Sequence, residues 1–316
     1  MGHGSYKASD WAKLKQSRGI TSSSNVQQIF SHNSIKDKYN PKFINMRESR
    51  DSEDSPLSTP IIIGFDVTGS MGYLAEEIAK NALDKTITEI YNKQPVTNPH
   101  IMCAAITEPE PDTGLQVTQF EADIRVMEQL LELKVAFGGN WYSADSLVWY
   151  FAAAHTSIDC FEKRGKKGFL FVIGDEICGA SKGERLGITE IRTIFNDRLK
   201  KSFSLKELAD MAMEKYEVFH IVMDNRPNDT VFKTWEKFLP GRVAVLNEKD
   251  VKYISEVIIT LMQLTNGMPR ETVMNQWPAD VRRIVEKATE TIRFDGPAPD
   301  DPDKKEKGGF FERLFS

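Results

Sequence analysis

From Pro60 onward, short continuous apolar runs alternate with stretches of helical periodicity. Such runs are typical of parallel strands that crossover helices bury on both faces. The runs that predict strands are residues 61–65, 101–106, 169–173, 218–223 and 243–246. Together they predict an α/β fold with a doubly wound, mostly parallel sheet of about six strands and helices on both faces.

A sixth strand is predicted at residues 115–120, where apolar and polar side chains alternate. This alternation is typical of a strand with one solvent-exposed face, so we expect a half-exposed, antiparallel strand at the edge of the sheet. Helical periodicity follows or precedes the strands at residues 74–90, 147–158, 251–261 and 281–288. These four stretches are therefore predicted to be helices.

Composition divides the chain into four segments. Residues 1–59 are a basic, polar N-terminal arm with short apolar islands, and residues 60–266 carry the alternating pattern. Residues 267–294 predict a C-terminal helical extension. Residues 295–316 join a polar linker rich in Pro and Gly, which we expect to be disordered, to a terminal apolar motif.

The arm and the rest of the chain differ in charge. Residues 1–50 contain nine Lys and Arg against three Asp and Glu, a net +6, while the whole chain carries −5 and the remainder therefore −11. The chain as a whole has no electrostatic reason to bind polyanions. The arm either lies on the acidic body, which would neutralise it, or binds nucleic acid or another acidic partner.

Three features bear on the cellular compartment. The cysteines Cys103, Cys160 and Cys178 are widely spaced and match no zinc-binding or dithiol pattern. No apolar stretch approaches the ~18 residues of a membrane span, and the first residues lack the apolar region of a signal peptide. We therefore expect a cytoplasmic protein in a reducing environment, without a membrane span.

The strongest local motif lies where the first predicted strand ends, at Asp66-Val67-Thr68-Gly69-Ser70-Met71-Gly72. In a doubly wound sheet, ligands bind outside the carboxyl ends of the strands near the point where the strand order reverses. One carboxylate and two hydroxyls at alternate positions can converge on a hard cation, because their oxygens suit Mg²⁺, Mn²⁺ or Ca²⁺. The motif therefore predicts a metal site.

Two further loops are expected at the same edge. Gly174-Asp175-Glu176 follows the strand at residues 169–173, and Gly138-Gly139-Asn140 precedes the helix that contains Leu147. Each supplies oxygen donors. Glu108, which follows the strand at residues 101–106, adds acidic character.

Asp66-x-Thr68-x-Ser70, the Gly138-Gly139 loop and Gly174-Asp175, in this order, resemble the metal-ion-dependent adhesion site (MIDAS) of von Willebrand factor A (vWA) domains. The resemblance covers residues 60–266 and implies the Rossmann-like vWA fold. Residues of the family's metal site match Asp66, Thr68, Ser70 and Asp175. The family usually has Thr where this chain has Asn140, and Ser143 is the other candidate for that place. Residues 139–168 also look like an intracellular microbial and phage subgroup.

The resemblance implies a binding module rather than an enzyme. In the family, the cation keeps an open position that takes a Glu or Asp from a protein partner. Intracellular members often act as adaptors for ATP-driven ring remodelling machines, so a ring ATPase is the expected partner class. Trp141 and Tyr142, beside the predicted metal, are either partner anchors or ordinary packing residues.

The terminal motif carries four apolar side chains on one face of a short predicted helix: Phe310, Phe311, Leu314 and Phe315. We expect a tethered docking peptide, because the linker lets the motif reach beyond its own domain. A membrane-surface anchor and folding back onto the core are the alternatives.

Other interpretations of these patterns stay open. The Asp66 motif could be only a helix N-cap. A metal-dependent phosphoester hydrolase could use the same Asp, but such hydrolases need a second Asp where Thr68 stands. No phosphate-binding loop and no Gly-x-Ser-x-Gly motif is found. His155 and His220 lie in apolar stretches and are expected to be core histidines with satisfied hydrogen bonds.

Overall fold

The computed structural model describes residues 5–30, 32–107, 114–135, 144–179, 184–224 and 230–294. The strands in these ranges are β1 Arg47–Ser49, β2 Thr59–Asp66, β3 Pro99–Ile106, β4 Leu115–Val117, β5 Thr156–Ile158, β6 Gly168–Gly174, β7 Arg185–Leu186, β8 Phe203–Ser204, β9 Tyr216–Met223 and β10 Val243–Leu246.

The helices are α1 Ala8–Ser17, α2 Val26–Ile29, α3 Gly72–Glu77, α4 Leu83–Lys93, α5 Arg125–Leu130, α6 Ser146–Ala154, α7 Asp159–Arg164, α8 Ile188–Phe195, α9 Leu205–Lys215, α10 Thr230–Glu236, α11 Ile254–Thr265, α12 Arg270–Asn275 and α13 Ala279–Ala288. A π-helical stretch, Ile78–Ala82, joins α3 to α4, so the predicted helix at residues 74–90 is continuous. Short 3-10 helices lie at Asp37–Tyr39, Pro41–Phe43, Gly69–Met71 and Glu248–Tyr253.

Six strands form the central sheet in the order β10-β9-β6-β2-β3-β4. All neighbouring strands are parallel except β4, which is antiparallel to β3. The predicted fold class is therefore confirmed: the protein has an α/β fold with a mostly parallel, doubly wound sheet. The antiparallel direction of the edge strand is also as expected.

Alternate side chains of the central strands enter two separate hydrophobic cores. In β2, Ile61, Ile63 and Phe65 belong to one core and Ile62 belongs to the other. The first core contains apolar residues of α4, α11 and α13, and the second contains those of α6, α8 and α9. Helices on both faces explain why these strands are continuous apolar runs.

The predicted exposure of the edge strand is wrong, because Leu115, Gln116 and Val117 are all buried. The side chain of Gln116 donates to the carbonyl of Lys134 at 2.8 Å and accepts from its N–H at 2.9 Å. Arg47, in the arm, also donates to the Val117 carbonyl. The polar side chain of Gln116 is thus hydrogen-bonded to the protein itself, so the alternating pattern did not indicate a solvent-exposed face.

The predicted helix at residues 147–158 is too long. The helix α6 ends at Ala154, and Thr156–Ile158 forms β5, which pairs in parallel with β1 of the arm. The β-branched residues Thr156 and Ile158 favour a strand. Since the pairing partner is more than 100 residues away in the sequence, helical periodicity alone could not locate this end.

The arm lies on the body of the protein. Trp11, Phe30 and Tyr39 are buried in the first core. Arm cations also pair with acidic side chains of the body: Lys38 lies 2.5 Å from Glu132, and Arg50 bonds Asp159 and Glu162 at 2.9 and 2.8 Å. This is the arrangement that the self-docking interpretation of the basic arm expects.

The C-terminal extension packs on the body through α12 and α13, whose buried residues include Val273, Met274 and Val285. The terminal segment 295–316, with its predicted linker and apolar motif, lies outside the described residues. In the part of the chain that the structure describes, no helix has both the length and the apolar character that crossing a membrane requires.

Candidate metal site

The sheet topology brings two of the predicted loops together. The chain runs from β2 to β3 and β4 on one side and returns to β6, β9 and β10 on the other, so the strand order reverses between β2 and β6. Asp66 is the last residue of β2, and Asp175 directly follows β6. Because β2 and β6 are parallel neighbours, both carboxylates lie at the same edge of the sheet.

Asp66 is fully buried, and only one of its oxygens is bonded by the described chain. Its Oδ1 accepts the backbone N–H of Thr68 at 2.7 Å. Its Oδ2 has no hydrogen-bond partner among the described residues. A buried carboxylate oxygen without a donor is costly unless a ligand satisfies it.

The loop after β2 is fixed by backbone bonds. The Val67 N–H donates to the Ile106 carbonyl at 2.9 Å, and Met71 N–H donates to the Thr68 carbonyl at 2.9 Å. Thr68 is itself buried and extended, and the turn Gly69–Met71 then leads into α3. The backbone of Ser70 lies in this turn, while the placement of its side chain is not described.

The pKa of Asp66 is raised to about 7, and burial is the largest cause. The hydrogen bonds from Thr68 oppose this rise, whereas the negative charges of Asp175 and Glu176 contribute to it. An acid in this environment is stabilised as a carboxylate by a nearby cation. The electrostatics of the site therefore favour a positively charged ligand.

Asp145 lies near the same point of the sheet edge as Asp66, although no motif in the sequence pointed to it. A Cβ atom placed on Gly174 would lie 3.4 Å from Oδ2 of Asp145 and 3.6 Å from the Cβ of Asp66. Asp145 directly precedes α6 and is 1% exposed. An Asp at the start of a helix after a Gly-Gly loop is a visible signal, but acidic residues are common there for helix stability alone.

Tyr73, in the first turn of α3, also lies near the carboxylates. Burial raises its pKa well above the usual range, and the charges of Glu248, Asp175 and Asp66 act in the same direction. Its buried hydroxyl has no hydrogen-bond partner within the described ranges. Nothing in the sequence pattern singled out Tyr73, because an aromatic residue in the first turn of a helix is usually a packing residue.

The remaining predicted site residues cannot be placed. Asn140, Ser143, Trp141, Tyr142 and Glu108 all lie outside the described residues. The structure therefore brings together Asp66, Thr68 and Asp175, and adds Asp145 and Tyr73 to their surroundings.

The donor set fits a hard divalent cation. Carboxylate and hydroxyl oxygens are the ligands that Mg²⁺, Mn²⁺ and Ca²⁺ prefer, and Oδ2 of Asp66 is a buried oxygen in need of a partner. Within the described ranges no three His, Cys, Asp or Glu side chains lie close enough to share one ion as they stand. Hydroxyls, water and small side-chain rotations would have to complete the coordination.

The two histidines singled out in the sequence lie in the cores. His155 bonds the Asp197 carboxylate at 2.9 Å and the Asn45 carbonyl at 3.0 Å, so its hydrogen bonds are satisfied as expected. His220 differs. Its ring stacks on Trp235 at 3.5 Å, and neither nitrogen has a hydrogen-bond partner among the described residues. Burial lowers the pKa of His220 well below the usual range.

No family model and no curated protein matches the chain. Among solved structures, the open form of the pilus adhesin SpaC from Lactobacillus rhamnosus GG is 10% identical, with a TM-score of 0.44, over 70% of this chain and 31% of that one. A von Willebrand factor type A protein from Catenulispora acidiphila is 14% identical, with a TM-score of 0.37, over 71% and 48%.

A third structure, the conserved protein BatB from Bacteroides thetaiotaomicron, is 13% identical, with a TM-score of 0.37, over 65% of this chain and 98% of that one. The chain thus spans less than half the length of the first two proteins. At these identities and TM-scores, none of the similarities assigns a family or an activity to the chain.

Proposed function

We propose that the chain is a vWA-like module that binds another protein through a divalent cation. The proposed ligands are Asp66, Thr68, Ser70 and Asp175, with Asn140 or Ser143 in the remaining place. The observation that carries the proposal is the buried Asp66 carboxylate, whose Oδ1 is oriented by the Thr68 N–H and whose Oδ2 has no partner among the described residues.

The residues of the chain orient the site, and Mg²⁺, Mn²⁺ or Ca²⁺ would supply an electrophilic centre that accepts an oxygen from a partner. Thr68 holds the Asp66 carboxylate through its backbone N–H. The buried side chains around Asp66 exclude bulk water and so strengthen its interaction with a cation. Recognition of the partner would depend on the presence of the metal.

The resemblance to vWA domains suggests what the partner provides. We propose a protein that offers a Glu or Asp to the cation, with a ring ATPase in the cytoplasm as the expected class. Trp141 and Tyr142 would contact that partner near the metal. The terminal residues Phe310, Phe311, Leu314 and Phe315 would add a second, tethered contact.

We favour binding over catalysis. The described groups nearest Asp66 are acidic or hydroxylic, and the buried histidines His100, His155 and His220 are engaged elsewhere by hydrogen bonds or ring stacking. A hydrolase that uses Asp66 would turn over a phosphoester in the presence of metal. A broad phosphatase and esterase screen of the wild type separates the two functions, since turnover that Asp66→Ala abolishes contradicts a binding module.

Thermal denaturation with and without Mg²⁺ or Mn²⁺ tests the metal site. A ligand that binds only the folded state stabilises it, by about 2.7 kcal/mol at a hundredfold excess over Kd. We expect both ions to raise the Tm of the wild type and to leave that of Asp66→Ala unchanged. Asp210→Ala, which removes an exposed carboxylate from α9, is the matched control and should respond like the wild type. A wild type that does not respond to millimolar metal contradicts the proposal.

A further inference from the structure

A third carboxylate lies at the proposed cation site. We propose that Asp145 is a ligand of the cation, directly or through one water, and that the chain therefore binds the ion tightly without its protein partner. This inference rests on the proposed function, because it concerns the same site.

The geometry around Gly174 supports this role. A Cβ on Gly174 would lie 3.4 and 3.7 Å from the two carboxylate oxygens of Asp145, and 3.6 Å from the Cβ of Asp66. The Asp145 carboxylate and the Asp66 side chain thus border one small space that the missing side chain of Gly174 leaves open. The buried Oδ2 of Asp66, which has no partner among the described residues, independently indicates a ligand of the Asp66 carboxylate.

Burial makes the position of Asp145 unusual for a residue that only stabilises a helix. An acidic residue at a helix start is normally solvated, whereas Asp145 is almost completely inaccessible and borders the same space beside Gly174 as the buried side chain of Asp66. Two such charges repel each other at short range. A divalent cation between them turns this repulsion into attraction.

Charge balance leads to the second part of the proposal. With Asp66, Asp145 and Asp175 as ligands, three negative charges would face the two positive charges of the cation, so the chain would more than balance its charge before any partner arrives. Ligand charge count is one of the properties that set the affinity of oxygen sites for such ions. Binding of the ion to the isolated chain should therefore be measurable, and the partner's acid would not be needed to hold it.

The three carboxylates do not yet share one coordination sphere among the described residues. Ligation requires the Asp145 side chain to turn towards Asp66 or to reach the ion through a water. Because Gly174 has no Cβ, the position 3.4 Å from Oδ2 of Asp145 that a Cβ would take is unfilled and available for such a movement. Either arrangement makes the affinity for the ion depend on the Asp145 charge.

Titration of the full-length chain with Mn²⁺, followed by calorimetry and by the electron paramagnetic resonance of free Mn²⁺, tests the proposal. We expect one bound Mn²⁺ in the wild type and a Kd raised by about tenfold to a hundredfold in Asp145→Asn, the range typical for losing one supporting group of a metal site. Asp210→Asn removes the same charge from an exposed part of α9 and should bind like the wild type.

The outcomes separate the two proposals. If Asp66→Asn abolishes Mn²⁺ binding while Asp145→Asn binds like the wild type, Asp145 is only a helix residue and this inference is overturned, whereas the metal site stands. If the wild type binds no Mn²⁺, both proposals are wrong. A Kd that rises equally in Asp210→Asn would show a long-range charge effect and would also overturn the role of Asp145.

Gly174→Ala is a second variant in case Asp145→Asn does not fold. The contacts of its new methyl group would all be ordinary van der Waals distances, so the fold should be retained. Because the methyl group would occupy the space between Asp66 and Asp145, we expect Mn²⁺ binding to weaken at least about tenfold. Unchanged affinity would contradict a cation at this place.

Discussion

The guanidinium group of Arg47 donates a hydrogen bond to the main-chain carbonyl of Val117, at 3.1 Å. Arg47 begins the arm strand β1, and Val117 ends β4, the outer strand of the sheet. An outer strand presents unpaired main-chain groups, which can pair with other chains unless something covers them. The arm therefore closes one free edge of the central sheet.

Replacing Arg47 tests this closure. The side chain also donates to the carbonyl of Lys38, so Arg47→Ala removes donors from two main-chain acceptors. We expect a loss of about 1 to 3 kcal/mol in the free energy of unfolding, because a buried acceptor is left unsatisfied. Urea unfolding measures this loss. Lys42→Ala, in the exposed part of the same arm, should change little; equal stability of the two variants would mean that the arm does not close the edge.

Trp11 tests whether the arm belongs to the hydrophobic core. It is 1% exposed and lies in the same core as residues of β2 and α4. Trp11→Ala should lower the free energy of unfolding by about 3 to 5 kcal/mol, the usual cost of deleting a large buried aromatic side chain. Denaturant unfolding of the variant gives this value, and Lys13→Ala on the exposed face of α1 is the control. A loss below about 1 kcal/mol would indicate that the arm is detached in solution.

His100 should make the protein less stable in acid. Its ring nitrogens lie 3.0 Å from the Ser49 hydroxyl and 2.8 Å from the Ser55 hydroxyl, and burial lowers its pKa from 6.5 to about 4. Between these values the unfolded chain binds the proton and the folded chain does not. Stability is therefore full above the unfolded pKa and falls as the pH drops towards 4, by about 3 kcal/mol at most.

Urea unfolding between neutral pH and the pKa of His100 measures this slope. His100→Gln removes the titrating group and should flatten the slope without abolishing it, because His220 is buried neutral and acts in the same direction. A variant whose slope equals that of the wild type would show that His100 already carries its proton in the folded state.

The central strands could be predicted because the pattern that indicates each strand lies within the strand's own residues. In β2 and β6 every residue from Pro60 to Asp66 and from Gly168 to Gly174 is buried, so the apolar run itself reports two covered faces. The burial of β4 could not be predicted. Its cover comes from Arg47, 70 residues away, and from Lys134, and no periodicity reports such contacts.

In the candidate site, too, the local features could be predicted from the sequence and the long-range contacts could not. Asp66 and Thr68 are two residues apart, and their hydrogen bond follows from the local turn that the motif predicts. Asp145 approaches Asp66 only because α6 begins above the end of β6, which is a property of the folded sheet. The proposed role of Asp145 follows from the space beside Gly174, which can be seen only in the folded structure.

Asp66→Asn should separate the stability of the fold from its proposed function. Asp66 is fully buried beside the negative charges of Asp175 and Glu176, and the neutral isostere keeps an oxygen for the Thr68 N–H. In EDTA we therefore expect the variant to be more stable than the wild type, by on the order of 1 kcal/mol. With saturating Mn²⁺ the order should reverse, because only the wild type gains free energy from the ion.

Asp159 supplies the matched control, because it is also a buried aspartate but its charge is paired. Its carboxylate lies 2.9 Å from Arg50 and 2.6 Å from Lys163, and these hydrogen-bonded cations hold its pKa at about 2 against the effect of burial. Asp159→Asn should therefore destabilise the fold by about 1 to 3 kcal/mol with or without metal. Thermal denaturation of both variants decides the point: an Asp66→Asn protein that loses stability in EDTA, as Asp159→Asn does, would show that the Asp66 carboxylate is a structural group of the fold and not a site kept for a cation.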